Sequence, residues 1–171
     1  MKKQFLIILF LTLGLIVNTN AGEVANNIEK LKASRTCEGC NLQGADLGGL
    51  KLLRARLHGA NLSAANLIGV QLGLADLSGA NLSGADLSEA DLHHANLSRA
   101  DLSNAYLEYT NLEYTNLIGA DLSGADLYYA NLENADFSEA NLGTANIEGA
   151  DLSKAVLCNT KTPLGINNSG C

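Results

Sequence analysis

From Leu42 to Leu157 every fifth residue is Leu, apart from Phe137 and Ile147, which makes 24 consecutive repeats. Two residues before each stands a small residue in nearly every case, as at Ala45, Ala60, Ala85 and Ala155; Cys40, Leu50, Val70, Thr110 and Thr115 are the departures. Asp or Asn usually lies between, so the unit reads Ala-(Asp/Asn)-Leu-x-x. An α-helix would rotate this period by about 140° per repeat and scatter the leucines around its cylinder. A straight strand fails as well, because an odd period sends successive leucines to opposite faces. The chain must therefore turn once per repeat.

Within a repeat the Ala and the Leu, two residues apart, share one face as in a strand. A turn through the two variable residues then returns the next pair to the same interior. Coiling of this kind buries Leu and Ala and leaves Asp, Asn, Ser, Gly and Glu outside. Stacked coils supply one another's backbone partners, and the frequent Ser-Gly and Ser-Glu pairs after Leu suit the turns. The predicted class is an all-β solenoid. With only 5% aromatic residues and no Trp in 171 residues, repetition has to replace the large side chains of an ordinary core.

Runs such as Ala75-Asp76-Leu77-Ser78-Gly79-Ala80-Asn81-Leu82 resemble the pentapeptide-repeat family, and the likeness extends over about 120 of the 171 residues. The resemblance implies a right-handed quadrilateral β-helix with four repeats per coil. Twenty-four repeats would then make about six coils, roughly 29 Å tall at the interstrand spacing of about 4.8 Å. Some members of the family act as decoys for DNA topoisomerases.

Both ends need covering, since open sheet edges invite other chains. Residues 22–36 carry Val24, Ile28 and Leu31 at helical spacing and are predicted to form a short N-terminal cap. The solenoid is expected over 37–157, with 158–171 as a tail that drops the repeat and holds the only proline, Pro163. Ahead of the cap, Lys2 and Lys3 precede an apolar run from Phe5 to Val17, and Thr19-Asn20-Ala21 precede Gly22. That order is a secretory signal over 1–21, cleaved before Gly22. An uncleaved membrane anchor is the competing reading, though the run is short for a spanning helix. Cleavage would leave no stable membrane insertion and a periplasmic or secreted product.

Removing 1–21 leaves nine Lys and Arg against 18 Asp and Glu, and moves the formal charge from −7 to −9. Such a balance argues against nucleic acid as a partner, because phosphate backbones need Lys and Arg. An exported chain with four cysteines is expected to pair them. In repeat register Cys37 and Cys40 face inward at the first coil, while Cys158 opens the tail. With the coil count that the resemblance implies, the two ends are too far apart for one disulfide, which tolerates Cα separations under about 7 Å. The pairs are then Cys37–Cys40 and Cys158–Cys171, and secreted members look similar around both. The Cys-x-x-Cys at 37–40 also suggests zinc or redox chemistry, but one pair does not complete a four-ligand site and no βαβ pattern surrounds it. No metal or cofactor is expected.

Residues 20 apart should stack in a four-repeat coil. Tyr109 then lies under Tyr129 and His94 under Tyr114, with Tyr106 and Tyr128 on the face of Tyr109 and Tyr129. Exposed aromatic clusters often mark binding sites; stacked tyrosines that only stabilise neighbouring turns are the alternative. Tyr106, Tyr109, Tyr114, Tyr128 and Tyr129 are thus the candidate partner surface. The stretch 42–157 carries 15 acids against five bases, and Asp101 falls beneath Asp121. His93 and His94, near Asp91 and Glu113, could pass for an acid–base pair, but a convex wall offers no pocket that excludes water. The expected function is a non-enzymatic, rigid acidic module for an unknown protein partner outside the cytoplasm, monomeric or dimerised end to end. The alternative is a cytoplasmic DNA mimic that binds a topoisomerase.

Overall fold

The computed structural model describes residues 19–171, so most of the signal sequence read over 1–21 lies outside the described residues. Helix α1 runs Thr19–Ser34. Val24, Ile28 and the fully buried Leu31 pack on the first coil, and the Asn27 side-chain amide donates to the Asn41 carbonyl at 2.9 Å. Arg35, at a φ of 54°, ends the helix in the left-handed conformation, and its carbonyl accepts from the Arg56 amide at 2.8 Å. The chain passes from helix cap into the ladder in a single residue. Among the described residues no helix is long and apolar enough to cross a membrane.

From the Thr36–Arg56 pair onward, parallel bridges join residues 20 apart, ending at Asn141–Lys161. A coil therefore returns on itself after four five-residue repeats. Each bridge centres on one residue at the Asp/Asn position, because two of every five residues are spent in the turn. Extended ladders are consequently absent from the coils, and the named strands, β1 (Thr160–Thr162) and β2 (Gly165–Asn167), form a C-terminal hairpin. Inside, Leu47 to Leu127 and the alanines between them form one continuous core, nearly all closed to solvent. Burying a leucine contributes roughly 1.5–3 kcal/mol.

The turns explain the polar half of the repeat. In each, the Leu carbonyl accepts from the amide three residues on, as Leu42 does from Ala45 at 3.0 Å. The second variable residue has positive φ, from Gly44 at 64° to Tyr109 at 57°, the signature of a type II turn. The Asp or Asn before Leu closes the turn from outside: its Oδ1 accepts the amide two residues ahead, as from Ser103 to Asp101 and Ser123 to Asp121, both 2.9 Å. These residues are turn caps as well as solvated surface. Thr144 and Lys154 are the two turn residues at this position without a positive φ; the β-branched side chain accounts for Thr144, and nothing in the structure explains Lys154.

Two buried threonines fill Ala positions. Thr110 and Thr115 donate their hydroxyls to the Leu87 and Leu92 carbonyls, each at 2.8 Å, so neither leaves an unmet polar group inside. Thr160 repeats that contact on the Phe137 carbonyl at 2.7 Å. Lys161 bridges Asn141 and Thr162 is buried at the Leu position. The repeat thus continues through 160–162, past the boundary expected at 157; the Thr110 and Thr115 substitutions already showed that Thr is admissible inside. Beyond the hairpin the tail folds back, the Leu157 amide donating to the Ser169 carbonyl at 2.9 Å.

Candidate protein-interaction surface

Cys37 is bonded to Cys40 and Cys158 to Cys171, with Cα separations of 5.3 and 4.8 Å. The first bond closes a turn beneath α1. The second ties the end of the tail to the last repeats. The disulfides secure the two ends, and the bridges between residues 20 apart set the register of the wall between them.

On that wall the tyrosines divide. The Tyr109 and Tyr129 rings stack at 6.0 Å between centroids with 12° between their planes, and Tyr128 meets them edge-on at 5.9 and 4.5 Å. This corner comes from three turn residues: Tyr109 and Tyr129 at the positive-φ position, Tyr128 just before Tyr129. Tyr109 and Tyr129 are 59% and 55% exposed, whereas Tyr128 is half-buried between them. Desolvation first, then repulsion from the neighbouring Tyr129 and Tyr109 phenol groups and the Glu148 carboxylate, push the Tyr128 phenol above its ordinary pKa. Tyr114 stands elsewhere, its ring stacked on His94 at 4.8 Å. Tyr106 is exposed on the flat wall between Asp86 and Asp126, its ladder neighbours.

Two glycines, not singled out in the sequence, make room for these rings. A Cβ on Gly149 would lie 2.8–2.9 Å from carbons of the Tyr129 ring, and one on Gly73 would meet the His93 ring at 2.2 Å. Each glycine lies 20 residues from the aromatic it accommodates, so the stacking rule could have found both. His93 is occupied locally: its Nδ1 lies 2.7 Å from Asp91 Oδ1 within one turn. His94 stacks on Tyr114 at 4.8 Å and meets the His93 ring edge-on at 5.8 Å, so each histidine keeps its own local partner although the rings adjoin.

The carboxylates are also bound into the turns. Desolvation would raise Asp121, but the amide and hydroxyl of Ser123, the Asn141 side chain and Lys161 outweigh it and hold the group below the usual carboxylate range. Asp76 is held low in the same way, against desolvation, by Ser78, His58 and Asn96. The like-charged pair Asp101 and Asp121 is bridged backbone to backbone, each carboxylate meeting a turn amide. Elsewhere Asn alternates with Asp: Asn66 donates to Asp46 and Asn146 to Asp126, both at 2.9 Å.

A 20-residue coil of four short sides, with Leu and Ala inside and Asx-capped turns outside, defines a repeat solenoid of the quadrilateral β-helix class. The chain belongs to the pentapeptide-repeat family: the sequence profile described as "Pentapeptide repeats (8 copies)" matches residues 40–79, 71–108 and 105–143. Among solved structures it is similar to HetL, a pentapeptide repeat protein involved in heterocyst differentiation regulation from Nostoc sp. strain PCC 7120. The identity is 34% over 76% of this chain and 73% of that one, with a TM-score of 0.48. A pentapeptide repeat protein from the Arabidopsis thaliana thylakoid lumen is 36% identical over 60% of this chain and 68% of its own, TM-score 0.33. QnrB1, a plasmid-mediated fluoroquinolone resistance protein, is 24% identical over 79% and 78%, TM-score 0.44. No curated protein sequence matches the chain.

Proposed function

We propose that this protein is exported and works outside the cytoplasm as a rigid, non-enzymatic interaction module of about six coils, counted from 24 repeats at four per coil. Its docking surface is the corner formed by Tyr109, Tyr128 and Tyr129. The observation that carries this reading is the contact of three tyrosine rings on an exposed corner of the solenoid. Large amphipathic rings held at the surface are the residues that dominate protein interfaces. Export is supported by Lys2, Lys3 and the apolar run to Val17, and by two disulfides, which persist in oxidising compartments.

A photo-reactive residue at position 128, in the protein expressed in its own cells, tests the docking reading. The expected result is a discrete cross-linked adduct from position 128 and none from Glu139, which is exposed two repeats further round the coil, at the opposite corner. Equal labelling from both positions, or none from either, overturns it.

A further inference from the structure

Carboxylates stand on every wall of this solenoid, so charge alone marks no place on it. The tyrosine corner differs because its rings are interleaved with acids and no base shares its rows. Three successive backbone bonds build it: the Glu89 amide donates to the Glu108 carbonyl at 2.9 Å, Tyr109 to Tyr128 at 3.0 Å, and Tyr129 to Glu148 at 3.0 Å. Glu108 is held in place by the Ser88 hydroxyl at 2.8 Å. The rows stacked at 20-residue spacing through Asp126, Tyr128 and Tyr129 contain no Lys, Arg or His from Asp46 to Gly149. The bases of the wall, such as Arg54, Arg99 and Lys154, lie in other rows.

Tyrosine faces are electron-rich and attract cations, and adjacent carboxylates reinforce that attraction. We infer that the corner docks a basic segment of a partner polypeptide. Its guanidinium or ammonium groups lie on the Tyr109 and Tyr129 rings, and Glu89, Glu108 and Glu148 neutralise them. This inference rests on the docking reading above and adds the chemistry of the partner. A cation on an exposed ring strengthens binding about two- to fivefold per contact, and the ionic part weakens as salt shortens the Debye length.

The test is a titration of the mature protein with a Gly-Arg repeat peptide and its Gly-Glu analogue, read from the ring resonances of the five tyrosines. The Gly-Arg peptide is expected to shift Tyr109, Tyr128 and Tyr129 saturably and to leave Tyr114 in place, while the Gly-Glu peptide shifts none. Two variants separate packing from recognition. The double change Tyr109→Leu and Tyr129→Leu keeps bulk at a position that tolerates Leu, since Leu74 has a φ of 60° in the equivalent turn; binding should fall about five- to twentyfold. Glu108→Gln with Glu148→Gln leaves the rings untouched and retains an acceptor for Ser88, and should weaken binding several-fold at low salt.

Binding that survives both variants, or shifts spread evenly over the acidic walls, overturns the inference. So does the absence of saturable shifts. If cross-linking from position 128 still yields its adduct in that event, the docking reading stands and only the basic partner falls; if cross-linking fails as well, both fall.

Discussion

At the scale of single residues, each repeat position has one task, and substitutions should report it separately. Ala85 is fully buried at an inward position of the coil, so Ala85→Leu should overpack the interior and cost about 1–3 kcal/mol, read as a lower melting temperature. Thr110→Val removes the hydroxyl from the Leu87 carbonyl, which still accepts from the Ala90 amide; the loss should be about 0.5–1.5 kcal/mol. Leu74 holds a left-handed φ of 60° while half-exposed. Leu74→Asn should therefore gain stability, by up to about 1 kcal/mol, because Asn tolerates that conformation better. Asp76 and Asp121 titrate below their ordinary range. Their contribution is complete above about pH 4, the unfolded value, and is lost as pH falls through the lower folded values. Asp76→Asn with Asp121→Asn, which keeps the turn acceptors, should flatten the fall in melting temperature as pH drops below about 4.

At the scale of elements, the inward Leu and Ala were legible because a five-residue period admits neither helix nor straight strand. The capping by Asp and Asn was less so: composition showed them as polar surface, and only the Oδ1-to-amide contacts show why these two types recur. The continuation through Thr160–Thr162 is not legible in the sequence because Thr162 replaces the expected Leu; Thr110 and Thr115 set a precedent for Thr160 at an Ala position only. The role of Gly149 and Gly73 appears only when residues 20 apart are set side by side. Stacking at 20-residue spacing places Tyr109 under Tyr129 but does not give ring orientation; Tyr106 shares the wall without joining the corner. The C-terminal element depends on its clamp. Reducing Cys158–Cys171, which spans 13 residues, should release the tail from Leu157 and cost about 3 kcal/mol. Limited proteolysis would show it as new cleavage confined to 163–171.

At the scale of the whole molecule, α1 and the tail close a solenoid that would otherwise expose two sheet edges, and the wall between them holds the tyrosine corner in fixed register. Processing at Gly22 would remove Thr19, Asn20 and Ala21 from the start of α1, together with the 2.6 Å contact between the Asn20 and Asn41 side chains. Leu31, Ile28 and Val24, which anchor the helix to the first coil, all lie beyond that point. The mature cap should therefore remain docked.

The intact mass and N-terminal residue of the protein recovered from separate cell fractions, with and without a thiol-blocking reagent, test the exported and clamped solenoid most directly. A chain starting at Gly22 outside the cytoplasm, with no cysteine labelled until a reductant is added, is the result expected. A full-length cytoplasmic chain with four reactive thiols would contradict it and return attention to the topoisomerase decoys of the family.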